Sequence, residues 1–82
     1  MKGLTEGCVV HYCFHMLSTP ELQHRSAVVV RVQNKDIGCV NLTVLSDWIN
    51  DGPAYGTGTA WKTSVPYSEE PKEHTWHWVE PA

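Results

Sequence analysis

His11, Cys13 and His15 alternate along one apolar run as His-x-Cys-x-His, and imidazole and thiol are the groups that hold zinc or copper. In an extended strand all three share a face, with successive members about 7 Å apart. That spacing is too wide for one strand to chelate one ion, so a zinc or copper site here needs completion by His24, His74 or His77. The familiar zinc-finger spacings are absent, and the competing reading is that His and Cys fill a half-buried sheet face. On spacing alone the expectation is no metal ion and no cofactor.

Catalytic patterns are weaker still. Cys8, Cys13 or Cys39 near a histidine would make a nucleophile pair, but nothing sets a base beside a thiol with a third group to orient it. Glu69 and Glu70 are adjacent, so in an extended segment they point apart and read as a solvated acidic turn. The expectation is a protein that binds rather than catalyses.

The aromatic residues carry the most information about binding. Trp61, Tyr67, Trp76 and Trp78 gather toward the end of the chain, and Tyr12 and Trp48 can join them. Large rings are what a small core needs, and at least two tryptophans are expected inside. Yet Trp76 and Trp78 share one strand face, and Tyr67 follows Pro66, so the same rings could stack on a base or a proline-rich peptide. Thr63, Ser64 and His77 add hydrogen-bonding groups, and Arg25, Arg31 or Lys62 could meet a phosphate. The expected ligand-binding set is Trp76, Trp78, Tyr67, Ser64, Thr63, His77, Arg25 and Lys62.

Five short runs must position these groups. Cys8–Phe14 is β-branched and aromatic, with Val10, Tyr12 and Phe14 on one face. Ser18-Thr19-Pro20 breaks it, and residues 16–25 read as a long polar loop. Ala27–Val32 follows, where consecutive valines oppose a helix. Turn formers at Asn34-Lys35-Asp36 and Gly38 lead into Cys39–Leu45, whose Val40, Leu42 and Val44 form an apolar row. Residues 46–60 read as a long loop pinned by Trp48 and Ile49, with room for one helical turn over Ser46–Asn50. Ala60–Val65 is ended by Pro66, and Thr75–Val79 by Pro81, leaving 80–82 as a short tail. Five strands without a convincing helix predict one all-β domain over residues 1–82. The expected architecture is a small, partly open SH3-like barrel, with an OB-like barrel second.

Bulk properties bound the rest. The 82 residues suffice for one thin-cored domain, which self-association would help stabilise. The formal net charge of −3 and singly scattered cations give no basic stripe, which argues against duplex nucleic acid. Three cysteines without a Cys-x-x-Cys pair read as reduced thiols, and with no leader-like or membrane-spanning apolar run the expected place is the cytoplasm.

The segments Gly7-Cys8-Val9-Val10-His11-Tyr12, Ser26-Ala27-Val28-Val29-Val30, Gly38-Cys39-Val40-Asn41-Leu42-Thr43-Val44, Thr63-Ser64-Val65-Pro66-Tyr67-Ser68-Glu69-Glu70 and Thr75-Trp76-His77-Trp78-Val79-Glu80 together span nearly the whole chain. They resemble a family of small bacteriophage and prophage proteins that typically end in a Trp-His-Trp-Pro-Glu-like motif, with Val79 standing where the proline would be. The resemblance implies a phage origin and thus the host cytoplasm. Joined to the aromatic and hydroxyl set, it leads to the expectation of a homo-oligomeric counter-defence protein that sequesters a small nucleotide signal. The alternatives are a virion component, such as a capsid decoration or head–tail protein, and an SH3-like adaptor that binds a host protein.

Overall fold

The computed structural model describes residues 1–15, 21–45 and 59–79. They form one five-stranded antiparallel sheet: β1 Val9–His15, β2 Leu22–Asn34, β3 Cys39–Leu45, β4 Thr59–Val65 and β5 Trp76–Trp78. The order across the sheet is β4-β3-β2-β1-β5. This is the all-β, partly open barrel expected from the strand count, and the described residues contain no helix.

Alternation decides what each strand buries. Val10, Tyr12 and Phe14 of β1, Ala27 and Val29 of β2, and Val40, Leu42 and Val44 of β3 face inward with Leu4, Val65 and Trp76. The long β2 pairs with β1 through its first half and with β3 through its second. Register shifts between Val29 and Arg31 and between Val32 and Asn34 mark bulges, which bend a strand and let one strand serve both sides of a small barrel.

On the far side of β5, a parallel bridge joins Tyr67 to Trp76. The Trp76 N–H donates to the Pro66 carbonyl (3.1 Å) and the Ser68 N–H to the Trp76 carbonyl (3.0 Å). The three-residue β5 therefore has partners on both flanks, which is how so short a strand stays in the sheet.

One expectation needs correcting. Residues 16–25 read as loop in the sequence, but β2 already begins at Leu22, and the β1–β2 ladder runs from Val9↔Val28 to His15↔Leu22. Gln23, His24 and Arg25 are only half-buried, so their polarity suits this stretch of ladder without breaking it. Of the loop expected over residues 46–60, Thr59 and Ala60 belong to β4. The rest of that loop, with Trp48, Ile49 and the helical turn, lies outside the described residues, as do tail residues 80–82.

Candidate metal centre

Two registers build the centre. β1 pairs with β5 so that His11 faces His77, and with β2 so that Cys13 faces His24. By alternation His11 and Cys13 share the face of β1 opposite the core. His24 and His77 come in from the strands on either side, and their ring centroids meet 5.0 Å apart. The His11 ring stands edge-on to both, at 5.7 Å from His77 and 6.4 Å from His24.

One ligating atom from each of His11, His24 and His77 lies within 4.8 Å of the other two. In a tetrahedral ion with metal–nitrogen bonds of 2.0–2.1 Å, the nitrogens sit about 3.4 Å apart. Closing the triangle to that size needs each imidazole to move by less than about 1 Å, within the reach of small side-chain rotations. His77 is buried, while His11 and His24 are half-buried, so the cluster is reachable from solvent and anchored from below.

The backbone beneath is clamped. The Cys13 N–H donates to the Thr75 carbonyl (2.9 Å), and the His74 N–H donates to the Cys13 carbonyl (2.8 Å). His74 adopts φ 62°, a left-handed turn conformation that lets the connector double back. The Thr75 hydroxyl closes the same turn on the Lys72 carbonyl (2.7 Å). Cys13 is fully buried although it lies on the face away from the core, and its Sγ lies 3.5 Å from His77 Nδ1.

The other histidines go elsewhere. His74 Nδ1 pairs with the Tyr12 hydroxyl (2.8 Å), and the Glu73 carboxylate meets both His74 Nε2 (3.4 Å) and His15 Nδ1 (3.1 Å). Of the candidates named for completing the centre, the fold thus brings in His24 and His77 and gives His74 a different partner. One strand presents such groups too far apart, whereas His11, His24 and His77 come together from three neighbouring strands. His24 can be named from the sequence, but its place opposite Cys13 follows only from the hairpin register, which runs through residues that read as loop.

The fold brings part of the expected aromatic set together. Trp76 has no exposed surface, and its indole N–H donates to the Gly38 carbonyl (2.7 Å). Tyr67 and Trp78 pack edge-on against it at 5.0 and 5.1 Å. Trp76 thus serves the core, Tyr67 and Trp78 are half-buried beside it, and no cavity opens among the described residues. Gly38 is required for this packing: its φ is +72°, and a Cβ there would sit 2.8 Å from the Tyr67 Cβ and 2.5 Å from the Met1 Sδ.

Thr63 and Ser64 lie at a bulge. Two residues of β4 oppose Asn41 of β3, and Ser64 takes φ 54°. The Thr63 hydroxyl and the Ser64 N–H both donate to Asn41 Oδ1 (3.0 Å each), and the Ser64 hydroxyl donates to Gln33 Oε1 (3.3 Å). Arg25 holds its own neighbour's carbonyl, His24 O (2.9 Å), and lies over the Phe14 ring at 5.5 Å. Lys62 is half-buried in β4, paired with Leu42. His77, expected as a hydrogen-bonding group beside the tryptophans, stands instead among imidazoles.

No helix of the described residues is long and apolar enough to cross a membrane. Comparison with models of known protein families, with curated proteins and with solved structures finds no match to this chain.

Proposed function

We propose that the domain is a non-catalytic metal-binding module that holds one first-row transition ion, of the zinc or copper kind, on the outer face of its sheet. The observation that carries this reading is the meeting of His11, His24 and His77 from three neighbouring strands within 4.8 Å. Imidazole suits zinc and copper, and three neutral imidazoles cost little to bring together compared with carboxylates. Placing the ligands on strands rather than loops favours a preorganised site. Calorimetric titration of the metal-free chain with zinc chloride tests it. One ion bound per chain, lost on His24→Ala, is the expected result; no heat of binding and no metal retained after dialysis would overturn it.

A second reading, self-association, is supported by an apolar row on the same face. Val9, Val28, Thr43 and Trp61 stand in register across β1 to β4, with Val9 53% and Trp61 62% exposed. Sedimentation velocity tests it: a dimer that Trp61→Ser converts to monomer supports the reading, and a monomer at all concentrations removes it.

A further inference from the structure

We propose that Cys13 supplies a fourth, thiolate donor to the ion held by His11, His24 and His77, so that the centre is a closed His3Cys site for a thiophilic ion such as zinc. The proposal rests on the metal-binding reading and adds to it the ligand that decides the site's chemistry.

Four observations carry it. Cys13 lies on the same face as His11, two residues along β1, and directly opposite His24 in register. Its side chain has no exposed surface, yet it belongs to the outer face and not to the hydrophobic core cluster. Its Sγ lies 3.5 Å from His77 Nδ1. In a tetrahedral centre with a metal–nitrogen bond of 2.0–2.1 Å and a metal–sulfur bond near 2.3 Å, the nitrogen-to-sulfur edge is about 3.5 Å, the separation at which Cys13 Sγ stands from one His77 nitrogen; joining the three-imidazole group needs a side-chain rotation of the thiol toward it. Finally, both backbone groups of Cys13 are tied to the connector before β5, which fixes the backbone that carries the thiol.

The other two cysteines are placed elsewhere. Cys8 Sγ is engaged by the Gly3 carbonyl and by Thr5, and Cys39 opens β3, paired with Asn34. On ligation the Cys13 S–H proton leaves to solvent and the sulfur electron pair forms the bond to the ion; no oxidation state changes. Four protein donors fill a tetrahedral ion, leaving no position for substrate or water.

Cobalt(II) chloride, titrated into the full-length metal-free chain, reads the donor set directly. The expected outcome is a four-coordinate cobalt spectrum with a sulfur-to-cobalt charge-transfer band in the near ultraviolet. Cys13→Ser should lose that band and bind cobalt at least about 100-fold more weakly, since a lost ligand costs more than a lost outer-shell partner. Cys8→Ser and Cys39→Ser should keep the band. Stoichiometric cobalt binding by the unaltered chain without a charge-transfer band would overturn the thiolate ligand and leave the three-histidine reading standing. A band that survives Cys13→Ser would overturn it equally. Failure of the unaltered chain to bind cobalt or zinc at all would end both.

Discussion

His77 has more of the centre's geometry resting on it than any other side chain. It is buried, stands in register with His11, meets the His24 ring from across β1, and touches Cys13 Sγ. His77→Ala should therefore weaken zinc binding at least about 100-fold by calorimetry, since a lost ligand costs more than a lost outer-shell partner. His15→Ala is the matched control. Its imidazole is engaged with Glu73, away from the cluster, and zinc affinity should be unchanged.

A second residue-scale prediction concerns Glu6, whose carboxylate accepts the Val32 N–H at 2.8 Å. That hydrogen bond, more than any other influence, holds its pKa below the ordinary glutamate value. A carboxyl depressed in the folded state adds stability above its unfolded pKa, and the contribution disappears as pH falls through the folded one. Glu6→Gln should thus flatten the acid side of the stability profile as pH falls below about 5, measured as urea midpoints. An unchanged acid limb would show that the contact contributes nothing.

Among the elements, β4 is held by its bulge. Ser64 adopts a left-handed conformation that costs a residue with a Cβ about 1–2 kcal/mol, and the Asn41 carboxamide collects the Thr63 hydroxyl and the Ser64 N–H there. Ser64→Gly should raise stability by about 0.5–1 kcal/mol, because the relief of strain outweighs the exposed hydroxyl contact to Gln33 and the extra entropy of glycine. Asn41→Ala should lower it by about 1–2 kcal/mol, by leaving those donors without their acceptor. Thermal melts of both variants, with opposite signs, test whether the bulge is built by Asn41. The strand β5 depends on the same principle of two-sided support, hydrogen-bonded to β1 on one flank and to Pro66–Ser68 on the other.

For the whole molecule, the core is small enough that single contacts matter. Trp76 is the largest fully buried side chain among the described residues, and it satisfies the Gly38 carbonyl. Trp76→Ala should cost about 3–5 kcal/mol, a large share of the stability of a domain this size, and leave the chain largely unfolded by circular dichroism at room temperature. An ion bound only by the folded state acts the other way. Zinc at about 100 times its dissociation constant should add about 2.7 kcal/mol and raise Tm by about 10–20 °C. That shift should vanish in His77→Ala, and its absence in the unaltered chain would mean that the ion is not bound by the fold.

The sequence by itself determined that five strands form and, in β1 and β3, which row faces inward, because period-two alternation of β-branched and aromatic residues has one solution when only one face is buried. Val10, Tyr12 and Phe14, and Val40, Leu42 and Val44, were legible in this way. The sequence left the two rows of β2 open, and in β4 it missed the bulge that leaves Trp61 exposed while Val65 is buried. It also determined that Trp76 and Trp78 share a face, but not that Trp76 would be wholly enclosed, since burial depends on what the fold lays over it. The imidazole cluster was decided by tertiary structure alone. His11, His24 and His77 belong to three strands, and only the registers of β1 with β2 and with β5 bring them within 4.8 Å. A strand's own pattern carries no information about which residue stands opposite on its neighbour, and a site built across strands is invisible until that pairing is known.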